Sequence, residues 1–64
     1  MTIRYQGKNV ETGVATVAAF LDARGGAKDV VVEYEGEILE NAALSAVRLE
    51  DGAELNTYRI VSGG

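Results

Sequence analysis

The sequence contains no cysteine, no histidine, no proline and no tryptophan. Without Cys or His it can form no disulfide, and it lacks a thiol nucleophile, an imidazole base and the side chains that most often hold zinc. Those absences remove most enzyme classes together. Long apolar runs are missing as well, so no stretch of the 64 residues reads as a membrane-spanning helix. The opening Met1-Thr2-Ile3-Arg4-Tyr5 lacks the basic-then-apolar pattern of a signal peptide, and the expected location is the cytoplasm. Positive charge is scarce: six Lys and Arg stand against ten Asp and Glu, a net charge of −4. A nucleic-acid partner is therefore not expected, because that binding depends on cations neutralising phosphates. A basic protein surface is the better complement to the chain as a whole.

What remains is a single domain over residues 1–64, a size at which folding buries only about 60% of the unfolded surface. An active site would have to be built from carboxylates, Lys8, Lys28 or the tyrosines, and these show no recognisable constellation. The chain reads as a non-enzyme that needs no cofactor and no metal.

Met1, Ile3 and Tyr5 alternate with Thr2 and Arg4, the period of a half-buried strand. Turn residues Gln6-Gly7-Lys8-Asn9 then lead to Val10-Glu11-Thr12, which makes a hairpin. From Thr16 the spacing changes. Val17, Phe20 and Leu21 fall at i, i+3 and i+4, so a short amphipathic helix is expected with Thr16 as its N-cap. Gly25-Gly26 supplies a left-handed stop, which explains that pair without a phosphate-binding role. A β-branched strand over Asp29 to Glu35 follows, read as covered on both faces at its start. Gly36 turns the chain into Glu37-Ile38-Leu39. Glu33, Glu35, Glu37 and Glu40 invite a cation-site reading, but charges on the outward side of a strand and its turn are more simply solvated, and the EF-hand pattern is absent. Asn41 would cap one helical turn over Asn41-Ala42-Ala43-Leu44-Ser45. After the Glu50-Asp51-Gly52 turn, Ala53 to Val61 forms the last strand, with Leu55 and Val61 toward the core and Tyr58 and Ile60 on the other register.

The expected fold is α+β: a mixed sheet of four to five strands with one main helix packed on one face. Its first and last strands lie side by side in parallel, the β-grasp arrangement, and the opposite sheet face is left for a partner. Residues 61–64 form a flexible tail, in which Ser62 and Gly63 precede the terminal carboxylate of Gly64. Four extended residues reach roughly 13 Å. Glycines suit a finger entering a narrow channel, because no Cβ blocks close approach. Tyr58 and Ile60 beside it are candidate partner contacts.

With the Ile3/Tyr5 strand, the Thr16-Val17 helix start, the Val32-Glu33-Tyr34-Glu35-Gly36-Glu37-Ile38 segment, the Asp51-Gly52 turn and the Gly63-Gly64 ending, the chain resembles the bacterial ubiquitin-like sulfur carriers of the ThiS and MoaD type, most of all those of thiamine-thiazole synthesis. Where family members often have Asn before the glycine, this chain has Glu35. The resemblance implies a ubiquitin-like β-grasp fold and a chemical cycle. A ThiF-type enzyme related to ubiquitin E1 would adenylate Gly64, consuming ATP. A cysteine desulfurase relay would supply sulfur to make a thiocarboxylate, and a ThiG-type thiazole synthase would accept it. In such a cycle Ser62 and Gly63 thread into the partner. Carriers serving molybdopterin, methionine, cysteine or siderophore synthesis share the fold and ending, and a β-grasp interaction module with an incidental Gly-Gly is the alternative from another class.

Overall fold

Strand β1 (Thr2–Tyr5) turns directly into β2 (Lys8–Glu11), with Ile3 opposite Val10 and Tyr5 opposite Lys8. The connecting residues Gln6 and Gly7 both have positive φ, 52° and 79°, the geometry of a two-residue type I′ hairpin. The turn is thus shorter than the sequence suggests. Lys8 and Asn9 belong to β2, a sheet-edge strand whose exposed polar residues look like a loop when only composition is read.

Helix α1 (Val17–Asp22) begins as expected: the Thr16 hydroxyl accepts from the Ala19 N–H at 3.1 Å. It ends at the glycine pair, where the Gly26 N–H donates to the Leu21 carbonyl at 2.8 Å and the Gly25 N–H to that of Asp22 at 3.3 Å. Those two bonds are a Schellman motif, and both glycines have positive φ. Strand β3 (Val30–Tyr34) and β4 (Glu37–Leu39) form a second hairpin through Glu35 and Gly36, again with positive φ at both, 50° and 83°. Asp29 also takes a positive φ of 61°, so Asp29 and Glu35 bracket β3 instead of belonging to it. A 3₁₀ turn over Asn41–Ala43 follows. Asn41 lies inside this turn and does not cap it; Glu40 holds the cap position with no side-chain bond. Strand β5 (Glu54–Arg59) closes the fold.

The computed structural model describes residues 1–60. Val61, the expected tail at 61–64 and its candidate site residues Ser62, Gly63 and Gly64 lie outside the described residues. The five strands form one mixed sheet in the order β2-β1-β5-β3-β4. β5 runs parallel to β1 and antiparallel to β3, so the last strand in the chain is the middle strand of the sheet. Helix residues Val17, Phe20 and Leu21 pack with Ile3, Val32, Leu55, Leu44 and Leu49 in one buried cluster. Tyr5 meets Phe20 edge-on, with ring centroids 5.1 Å apart, and the Arg24 guanidinium lies 3.9 Å from the Phe20 centroid, closing the ring off.

β3 is not covered on both faces. Val32 is fully buried, whereas Val31 lies opposite Tyr58 on the face without the helix and is only partly buried. With one short helix available, a β-branched run here reflects strand propensity more than two-sided burial. Among the described residues no helix is long and apolar enough to cross a membrane.

Candidate functional site

The site is built on the end of β5 and on the sheet face that α1 leaves open. Leu55, fully buried, anchors the start of β5. Two residues on, Thr57 is held by a side chain that sequence reading did not single out. The Gln6 amide donates from Nε2 to the Thr57 carbonyl and accepts at Oε1 from the Thr57 N–H, both at 3.0 Å. β1 has by then turned away into its hairpin, so the Gln6 side chain replaces its backbone as the neighbour of β5. Only the left-handed backbone of a turn residue, together with strand adjacency, could have revealed this pairing. At the last described position the Ile60 N–H donates to the Asp29 carbonyl at 3.0 Å.

The alternation of β5 places Asn56, Tyr58 and Ile60 on the open face. The register adds Glu33 and Ile38 from β3 and β4 and Val31 beside Tyr58. Ile38, Tyr58 and Ile60 are 63%, 52% and 56% exposed, so both expected contact residues do stand at the surface, joined by Ile38. Glu33 sits among them. Its carboxylate accepts from the Tyr58 hydroxyl at 3.2 Å and from Asn56 Nδ2 at 3.3 Å. That hydrogen bond and the neighbouring carboxylate charge push the Tyr58 phenol above its usual pKa, because a phenolate there would face Glu33.

The other carboxylates of the segment do not converge. Glu35 is in the hairpin turn, Glu37 lies opposite Tyr34, and Glu40 precedes the 3₁₀ turn. Among the described residues no group of three or more carboxylates could hold a metal ion. Tyr34 has a structural role: its hydroxyl donates to the Arg48 carbonyl at 3.1 Å and accepts from the Glu50 N–H at 3.0 Å, tying the approach to β5 against β3. Burial pushes its pKa up, partly offset by the Glu50 N–H.

Among the described residues the arrangement sets no nucleophile, base or electrophile in a cleft. It has an apolar surface around one hydrogen-bonded carboxylate, next to the end of a central strand. An exposed apolar surface of this kind is suited to docking against a partner.

No family model and no curated protein sequence matches the chain. Among solved structures it is similar to a thiamine biosynthesis protein (ThiS) from Geobacter metallireducens, at 30% identity with 100% of each chain covered and a TM-score of 0.84. A likeness of that extent, over the same five-stranded sheet with one helix, carries more than the architecture: the chain belongs to the ThiS family of ubiquitin-like β-grasp sulfur carriers.

Proposed function

We propose that the chain carries sulfur for thiazole formation in thiamine biosynthesis, with the carboxylate of Gly64 as its working group. The observation that supports this best is the position of β5. The middle strand of the sheet leads, four residues after Ile60, to Gly63-Gly64, so the chain end is backed by the most firmly held strand of the fold.

In the proposed cycle a Gly64 carboxylate oxygen attacks the α-phosphorus of ATP bound to an E1-like, ThiF-type enzyme. Pyrophosphate leaves and an acyl-adenylate forms. A persulfide formed through a cysteine desulfurase relay then attacks the carbonyl carbon with its outer sulfur and the bond to AMP breaks, giving an acyl disulfide. A second thiol of the partner cleaves that S–S bond, becoming oxidised to a disulfide with the relay cysteine, and leaves a thiocarboxylate in which one oxygen has been exchanged for sulfur. A ThiG-type thiazole synthase accepts that sulfur. This chain's share is to dock through Tyr58, Ile60 and Ile38 and to present a terminus that passes a narrow channel because Gly63 and Gly64 have no side chain. It is a substrate of these enzymes, and the ATP is bound by the partner.

Intact mass tests the proposal. After incubation with ATP, a sulfur source and the host's activating enzyme, the untagged chain should gain the difference between sulfur and oxygen, mapped to Gly64. No gain with an enzyme active on another carrier would refute it. Gly63→Trp should abolish the gain while the melting temperature stays within about a degree of wild type, a change in stability of less than about 0.5 kcal/mol. A residue appended after Gly64 should also abolish it, whereas an interaction module with an incidental Gly-Gly would tolerate the addition.

A further inference from the structure

The charges of this chain are segregated along the strands. The register sets Tyr5 and Lys8 level with Leu55 and Tyr34, while Val30 pairs with Arg59 four residues further along β5, so Val30 and Arg59 mark one end of the sheet and Thr2, Glu11 and Glu54 lie toward the other. Arg24, two residues past the end of helix α1, lies over the Tyr5 and Phe20 rings. Lys28 and Arg59 therefore stand where β5 leaves the sheet, with Asp29 as the acid beside them. Glu11, Glu35, Glu37, Glu50, Asp51 and Glu54 lie toward the opposite end, with Arg4, Lys8 and Arg48 as the cations among them. Acids thus outnumber cations six to three at the far end, whereas the end that leads to Gly64 carries the cations Lys28 and Arg59 with the single acid Asp29 beside them. Two of the cations border a built feature: exposed Lys28 and Arg59, with Asp29, Val30 and Ile60, line a recess of about 300 Å³, pinned by the Ile60 bond to the Asp29 carbonyl.

We propose that Lys28 and Arg59 form a basic collar that docks against carboxylates at the mouth of the activating enzyme's channel. The inference rests on the carrier reading above, and it reverses locally what total charge suggests, since an acidic chain as a whole calls for a basic partner. Reach decides between two anionic counterparts. Gly64 lies five residues beyond Arg59, at most ~17 Å along an extended chain. With the chain drawn out to that length, the distance exceeds the reach of an arginine or lysine side chain, so a collar held at the channel mouth does not touch the nucleotide phosphates when Gly64 reaches them. It meets the wall of the channel entrance, and the complementary chemistry there is Asp and Glu. Rim charges of this kind act mainly on the rate of encounter and its salt dependence, by about tenfold or more at low ionic strength.

The test compares the wild-type chain with Lys28→Glu/Arg59→Glu in the thiocarboxylation assay, at limiting and saturating carrier, from low salt to about 1 M, where the screening length falls to ~3 Å. The double reversal should raise KM about tenfold or more at low salt, leave kcat at the wild-type value, and converge on wild type at high salt. The neutral pair Lys28→Gln/Arg59→Gln should raise KM by a smaller factor, which covers the case in which reversal impairs folding. Glu37→Lys, at the opposite end, should behave as wild type. An unchanged KM in the collar variants, a loss confined to kcat, or an equal effect from Glu37→Lys would overturn the collar while leaving the carrier reading intact. A wild-type chain that gains no sulfur at any salt would overturn both.

Discussion

The two faces of the one sheet are made by the same strands, yet they follow different rules. On the helix side, Ile3, Val32 and Leu55 meet Val17, Phe20 and Leu21, and none of the six is more than 2% exposed. On the other side, alternate residues of the same strands are Arg4, Glu33, Asn56 and Tyr58, with Ile38 63% exposed. One face holds the fold together by excluding water. The other is held in shape by hydrogen bonds among its own side chains, with Glu33 as the shared acceptor of Tyr58 and Asn56. A carboxylate in the middle of Ile38, Tyr58 and Ile60 breaks up what would otherwise be a continuous apolar patch prone to self-association. Stability and recognition are thereby separated across about one sheet thickness, so sequence can change on the open face without unfolding the chain.

The sharpest way to break this separation is from the covered side. Phe20→Ala should cost about 3–5 kcal/mol, read as a lower urea midpoint, because the ring is fully buried and touched by Tyr5 and Arg24. In so small a domain that loss should leave much of the population unfolded. Gln6→Ala should cost less, about 1–2 kcal/mol, by removing the amide that pairs with Thr57 and leaving a left-handed alanine in its place. Ile38→Ser and Tyr58→Phe should stay within about 0.5 kcal/mol of wild type; a larger fall would show that the open face also supports the fold. The smallest effect is at alkaline pH. Tyr34 and Tyr58 both have raised pKa values, so the folded chain keeps those protons to higher pH than the unfolded chain does. Their contribution is complete below about pH 10 and is lost as pH rises through the folded values. Urea midpoints should decline in that range, less steeply in Tyr58→Phe.

Local rules were readable wherever a residue's neighbours in sequence decide its conformation. Thr16 caps because its hydroxyl needs only Ala19, and Gly25-Gly26 stops α1 because the bonds reach back only to Leu21 and Asp22. The spacing of Val17, Phe20 and Leu21 set the buried stripe, and the alternation of β5 set Leu55 inward and Tyr58 and Ile60 outward. Limits set by distant partners were not readable in the same way. Lys8 and Asn9 look like turn residues because β2 is an edge strand exposed to water. Glu35 looks like strand, although as the first central residue of a type I′ turn it takes a left-handed conformation in which Asn or Gly would be less strained. The pairing of Gln6 with Thr57 spans 51 positions, and the shared use of Glu33 by Asn56 and Tyr58 depends on β3 lying next to β5. The recess beside Lys28 and Arg59 needed the fold for the same reason: the two residues are 31 positions apart in the chain, and only the β3–β5 register closes the gap.

The placement of β5 also has a mechanical side. A pull on the chain beyond Ile60, as when a partner draws the last residues into a channel, acts along the axis of β5. That strand is bonded on one flank to β1 and the Gln6 amide, and on the other to β3 from Val30 to Tyr34. Force applied in that direction slides the strand against both neighbours at once, so the cross-strand bonds share the tension and must fail together. An edge strand peeled from its side would give way one bond at a time. A pull on the chain beyond Ile60 is therefore resisted without the fold coming undone.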